Sequence, residues 1–198
     1  MDSAVRTTEP LFEPITLLEA QTHLIINGQD AYITSLIKTA RMMLERELER
    51  SFILQTWTGY AGCWDRKIFL DYPPILSVTS VKYYNLNGTL ITLQGAGVNY
   101  WVNVPDGCID LAYDFTVPEL QYGRPNAIEV VYKAGYVDSA VEATAQAAVP
   151  EPIKQAMKLL ITDMHEHRGQ YVIGSIANKL PGYILNLIHP YKMYNLCG

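Results

Sequence analysis

Cysteine is scarce. Cys63, Cys108 and Cys197 are the whole set, odd in number and widely spaced. That pattern excludes a disulfide framework and offers no Cys-x-x-Cys metal site, so a reducing compartment is expected. Positive charge is also in short supply: 15 Lys and Arg face 20 Asp and Glu, a net charge of −5. A chain built to hold nucleic acid by neutralising phosphates shows the opposite balance. No apolar run reaches the ~18 residues of a membrane span, and no basic stretch followed by an apolar core opens the chain as a secretory signal. Phosphate-binding glycine motifs are missing as well. Gly95-Ala96-Gly97 lacks the third glycine and the following helix of a dinucleotide fingerprint, and there is no GxxxxGK[ST] or GxSxG.

Hydrophobic residues are plentiful, at 49% of 198. That suffices for one core, or a core with a sizeable insertion. The most regular stretch is Asp30 to Arg50, where Ile33, Leu36, Ile37, Ala40, Met43, Leu44 and Leu48 recur at helical spacing. Asp30 is expected as its N-cap. Lys38, Arg41, Glu45 and Glu49 are expected on the opposite face. Before it, Thr16-Leu17-Leu18-Glu19 reads as a capping box opening a short helix to Leu24, ended by Asn27-Gly28. Met1 to Pro14, polar and without a period, reads as an arm.

After Ser51 the residues become β-branched, aromatic and alternating. Strands are expected near Phe52–Tyr60, Lys67–Asp71, Val78–Asn85, Thr89–Leu93, Val98–Val104, Ile109–Tyr113 and Ile128–Lys133, with a hairpin at Asn87-Gly88. Gly135 to Val149 reads as a surface connection. Pro150-Glu151-Pro152 opens a second long helix with Ile153, Ala156, Met157, Leu160, Ile161 and Met164 in its stripe, closed by Arg168 and Gly169. A last short amphipathic segment begins at Leu180-Pro181.

These elements predict an α+β fold. Two long helices and one or two short ones form a helical layer, and an antiparallel β-sheet or small barrel is inserted into it. In chain order, residues 1–51 supply the arm and the first two helices, and 52–136 the β insertion. Residues 137–169 supply a linker and the second long helix, and 170–198 a C-terminal docking segment, all within one domain. Candidate chemistry is sparse. His165 and His167 are two apart and so point about 200° apart on a helix, which disfavours a shared metal. Asp110, Asp114 and Glu119 sit at strand edges or in loops, and nothing selects a hydrolytic pair among them. No catalytic, cofactor-binding or metal residue is therefore assigned.

Taken together, several stretches resemble the head–tail connector family of tailed phages, also called head completion adaptors. Pro14-Ile15-Thr16-Leu17-Leu18-Glu19-Ala20 is similar to its opening helix. Tyr32-Ile33, Leu36-Ile37, Ala40-Arg41 and Leu44-Glu45, then Gln55-Thr56-Trp57, resemble its long helix and first strand. Pro73-Pro74-Ile75 with Ser77-Val78, Ser80-Val81 and Tyr83-Tyr84 resembles its β segment. Tyr132 to Tyr136 and Val149-Pro150 before Ile153-Lys154 resemble the return to helix, and His167-Arg168 with Leu180-Pro181 to Pro190-Tyr191 its C-terminal part. The resemblance implies a structural virion protein of the neck, in a phage or a phage-derived gene transfer particle, assembled in the host cytoplasm. It implies a homo-oligomeric ring, usually of twelve subunits, under the portal. The ring extends the DNA channel and meets the next neck or tail protein. DNA passes without specific binding, and no cofactor, catalysis or membrane is involved.

Two groups of residues are expected to carry assembly. Arg41, Glu45, Arg46 and Glu49 are candidate inter-subunit contacts. Leu180, Pro181, Ile184, Leu187, Ile188, Pro190 and Tyr191 are candidate portal-docking residues, an apolar surplus that can dock on another chain or fold onto its own core. If they dock, truncation after Gly169 leaves a folded subunit that no longer joins portal-bearing heads. The alternatives are another neck protein (a stopper or tail terminator), a small oligomeric enzyme using Asp110 or Asp114, and a DNA-binding module.

Overall fold

The computed structural model describes residues 1–167 and 180–193. The chain is α+β and divides into two compact units, each discontinuous in sequence. One comprises Met1–Leu11 and Ser51–Ala140; the other is drawn from Phe12–Arg50 and Val141–Gly198.

The first unit is β. A five-stranded antiparallel sheet runs in the order β1 (Ser3–Thr8), β2 (Gln55–Ala61), β8 (Ile128–Ala134), β4 (Ile75–Tyr84), β5 (Leu90–Thr92). A three-stranded antiparallel sheet orders β3 (Lys67–Phe69), β7 (Cys108–Leu111), β6 (Tyr100–Asn103). The expected sheet is thus two sheets and no barrel. Strict alternation drives them: β8 buries Ile128, Val130, Tyr132 and Ala134 and turns Glu129, Val131 and Lys133 outward. Trp57 stands opposite Tyr132 and Val81 opposite Val130. They share one core with Ile68, Tyr100 and Ile109 of the smaller sheet. The Tyr132 hydroxyl donates to the Asp71 carbonyl at 2.9 Å, and burial raises its pKa well above the ordinary tyrosine value.

Two turns are set by particular residues. At the β4–β5 hairpin, Asn85 Oδ1 accepts the N–H groups of Asn87 and Thr89, each at 3.0 Å, and Gly88 takes φ +74°. At Gly135 the backbone has φ +146°, and a Cβ there would lie 2.8 Å from backbone atoms of Ile53 and Leu54. Glycine is the residue that fits.

Met1 to Pro14 is not a loose arm. Its residues Ser3–Thr8 pair antiparallel with β2, from Ser3 opposite Tyr60 to Thr8 opposite Thr56. A single polar edge strand gains its stability from the ladder, which its own side-chain pattern does not advertise.

The second unit is helical: α1 (Leu17–Leu24), α2 (Asp30–Leu48), α3 (Glu142–Ala148), α4 (Glu151–Glu166) and α5 (Gly182–Ile188), followed by a 3-10 turn, His189–Tyr191. The two long helices α2 and α4 pack on each other, and α1 and α5 both pack on α4. Ile33, Leu36, Ile37, Ala40, Leu44 and Leu48 of α2 are buried, as are Ile153, Ala156, Met157, Leu160 and Ile161 of α4. Met43 and Met164 are only half-buried. The cap of α2 is Gln29, in a left-handed conformation, so Asp30 is the first helical residue instead. Residues 142–148, expected as connection, form α3; alanine's helix propensity suffices where no long apolar stripe is present. Arg168, Gly169, Tyr171–Lys179 and Cys197 lie outside the described residues.

Candidate assembly surfaces

The entry to the helical unit is the capping box expected from its sequence. Glu19 N–H donates to Thr16 Oγ1 at 3.1 Å, and Thr16 N–H returns the bond to Glu19 Oε2 at 2.7 Å. Partial burial alone would raise the Glu19 pKa. The Thr16 backbone and hydroxyl bonds, with Lys158 and Lys154 nearby, outweigh it and hold the carboxyl below its ordinary value.

The four expected subunit contacts separate into two kinds. Arg41 and Glu45 do not stand on the outer face of α2: they are 1% and 2% exposed. Arg41 Nη1 bonds Glu45 Oε2 at 2.8 Å, and its Nε bonds Glu13 Oε2, also at 2.8 Å. Burial on its own would lower the guanidinium pKa, but the two carboxylates reverse that and raise it. Gln146 Nε2 donates to the Glu13 carbonyl at 3.0 Å, so this ionic centre ties α2 to the segment before α1 and to α3. Its work is internal to the subunit. Arg46 and Glu49 are exposed.

The docking candidates separate likewise. Ile184 and Ile188 are buried, at 0% and 1% exposure, in the core of the helical unit. They fold back onto their own subunit, because their i, i+4 spacing gives α5 an apolar stripe like its neighbours'. Leu180, Pro181, Leu187 and Tyr191 are half-buried and Pro190 is exposed. The end of α2 holds the residues beyond α5. Arg50 Nε donates to the Tyr191 carbonyl, Met193 N–H to the Leu48 carbonyl at 3.3 Å, and Lys192 Nζ reaches Glu47 Oε1 at 2.7 Å.

The remaining polar candidates are placed as follows. The His165 ring lies 5.9 Å from that of Tyr32, and His167 Nδ1 is 3.3 Å from Asp163 Oδ1. Among the described residues no three His, Cys, Asp or Glu side chains converge as a metal set. Asp110 is 3.8 Å from Lys67, while Asp114 and Glu119 are exposed. Cys63 is exposed and Cys108 buried; burial, then the charge of Asp110, pushes the Cys108 thiol up. A groove of about 390 Å³ between α1 and α4 holds one carboxylate, Glu19, and one of about 340 Å³ beside Trp64 holds one, Asp65. No described helix is long and apolar enough to cross a membrane.

The exposed apolar residues of the helical unit went unnoticed in the sequence. Leu18, Ile25 and Met42 are 71%, 89% and 46% exposed. Ile25-Ile26 ahead of Asn27-Gly28 was the available signal: two isoleucines at a helix end where a turn begins.

No family model matches the chain, and no curated protein matches it. Solved structures do. Over 99% of this chain and 98% of the other, it superposes with a TM-score of 0.76 and 18% identity on a chain from the neck of an empty GTA particle computed with C6 symmetry. A chain from the virion of a native gene transfer agent (GTA) particle gives 0.75 and 18%, over 98% and 97% of the two chains. One from the neck of the native GTA particle computed with C12 symmetry gives 0.73 and 20%, over 99% and 98%. The protein therefore has, from end to end, the fold of a chain found in the neck of gene transfer agent particles.

Proposed function

We propose that this chain is a structural neck protein of a phage-like particle, a head–tail connector. A ring of copies, usually twelve, sits under the portal, extends the DNA channel and joins capsid to tail. It assembles in the host cytoplasm and works in the virion. The observation that carries this is the likeness to neck chains along the full length of both partners, in assemblies computed with C6 and C12 symmetry. The order of motifs noted in the sequence supports the same family.

The charge distribution suits a passage for DNA. The sheet unit carries ten acidic against six basic side chains and the helical unit ten against nine. A twelve-fold ring totals about −60 before counter-ions, so acidic groups facing the bore repel DNA. Arg46 and Glu49 are proposed inter-subunit contacts. Leu180, Pro181, Leu187, Pro190 and Tyr191 are proposed for portal docking, since they lie on or beside α5 without being buried in its core. The next neck or tail protein meets the far side of the ring. No cofactor or catalytic step is invoked.

The test is the mass of the assembly in solution with and without portal protein. A ring that binds portal is expected. A chain that never associates with portal, as ring or as subunit, refutes the connector role.

A further inference from the structure

The chain holds two Asn-Gly pairs, Asn27-Gly28 and Asn87-Gly88. Such a pair carries a latent reaction. The backbone nitrogen of the glycine, once it gives up its proton, can attack Cγ of the asparagine side chain. Glycine leaves that approach open because it has no Cβ. The rate depends on whether the fold keeps the proton in a hydrogen bond and fixes the asparagine's own torsions. The two pairs differ in both respects.

Asn87-Gly88 is clamped. The Gly88 N–H donates to the Asn85 carbonyl at 2.9 Å, and the N–H groups of Asn87 and Thr89 on either side both donate to Asn85 Oδ1 at 3.0 Å. A bonded N–H resists deprotonation, and these bonds to one residue hold the turn in shape. The Gln121 side chain also lies against Gly88, with Nε2 3.2 Å from where a Cβ would stand. Asn27-Gly28 is open. Both residues are exposed, and the Gly28 N–H has no acceptor among the described residues. Nothing lies within 4 Å of where a Gly28 Cβ would stand. The Gly28 carbonyl accepts from Gln21 Nε2 at 3.2 Å, a bond that leaves the nitrogen untouched.

We infer that Asn27 is a site of spontaneous modification, closing on Gly28 to a cyclic imide that opens to aspartate or isoaspartate, while Asn87 is protected by its hairpin. The Gly28 nitrogen loses its proton to solvent base and forms a bond to Asn27 Cγ. The Cγ–Nδ2 bond breaks, and the side-chain nitrogen leaves as ammonia. Water then opens the imide. Breaking the new N–Cγ bond gives aspartate. Breaking the bond from that nitrogen to the Asn27 backbone carbonyl carbon gives isoaspartate, with the chain routed through the side chain. Either product adds one negative charge to the −5 of the sequence. The charge arrives shortly before Asp30, the first residue of α2, and the N-terminus of a helix favours it there. The isoaspartyl form also lengthens the backbone beside Gly28, whose carbonyl shares Gln21 Nε2 with Asp30 Oδ1. The joint between α1 and α2 is thus where the molecule records its age.

The test follows the full chain during storage in mildly alkaline buffer. Peptide mass mapping reads the loss of amide at each site, and an isoaspartate methyltransferase scores the isoaspartyl product. In the folded protein the reaction at Asn27 is expected to run about tenfold faster than at Asn87, the factor set by one hydrogen bond on the attacking nitrogen. In concentrated urea the two rates should meet, because both pairs then offer the same chemistry to the same solvent. Asn85→Ala removes the Oδ1 acceptor, so it should speed the reaction at Asn87 and leave Asn27 unchanged. Equal rates in the folded chain, a faster reaction at Asn87, or a difference that persists in urea overturns the assignment. So does an Asn85→Ala variant in which Asn87 reacts no faster than before.

Discussion

Arg41 is held by two carboxylates and touches almost no water. Removing it takes away the guanidinium 2.8 Å from the Glu45 carboxylate, which is 2% exposed. Arg41→Met is expected to cost about 3–5 kcal/mol, read by urea denaturation, whereas Arg41→Met with Glu45→Leu recovers most of the loss because neither charge then remains buried. If the double variant is no better than the single one, the pair is not what holds this site. Its burial was not legible in the sequence. At helical spacing Arg41 falls on a polar face, and Glu13 comes from a segment read as an arm. An ion triad with two buried members, Arg41 and Glu45, is visible only once chain segments 28 residues apart are brought together. Gly135 is a second single-residue constraint. With φ +146° and backbone at 2.8 Å from a would-be Cβ, Gly135→Ala is expected to destabilise by about 3 kcal/mol, measured by thermal melting.

At the scale of elements, α1 depends on its cap. Thr16→Ala removes the acceptor for the Glu19 N–H and is expected to cost about 1 kcal/mol. The pH dependence has a definite sign. The folded pKa of Glu19 lies below its ordinary value of 4.5, so its contribution is complete above that value and disappears as pH falls through the folded pKa. Glu19→Gln should accordingly melt below wild type at neutral pH and converge with it in acid; a gap independent of pH would show that the charge is irrelevant. Elements with a strong internal pattern were legible. The stripes of α2 and α4, the capping box, the alternation in β8 and the Asn87-Gly88 hairpin all follow from side-chain spacing. Elements defined by their neighbours were not. β1 is a polar strand recruited by β2, and α3 is an alanine-rich segment tied to Glu13 through Gln146. The barrel alternative failed for the same reason: strand order depends on pairing between distant segments, with β8 placed between β2 and β4.

At the scale of the whole molecule, α5 changes what truncation should do. Its seven residues place Ile184 and Ile188 in the core of the helical unit. Ile188→Ala is expected to cost about 3 kcal/mol. A chain cut after Gly169 is therefore expected to lose more helix, by far-ultraviolet circular dichroism, than the removed segment itself contributes. Full retention of α1, α2 and α4 in that chain would return α5 to the role of a detachable tail. The end of the chain is thus both structural and, through Leu180, Pro181, Leu187, Pro190 and Tyr191, a proposed portal contact, a division the apolar periodicity could not draw.

The interleaving of the two units bears on how the protein is made. Each unit is drawn from two separated stretches of chain, so neither core can close until its second stretch has been made. β8 lies between β2 and β4 yet follows both in sequence, so the sheet gains its middle only after its flanks exist. The helical unit takes α4 and α5 from beyond the sheet segment and closes later still. Synthesis in that order favours a formed sheet before a formed helical core.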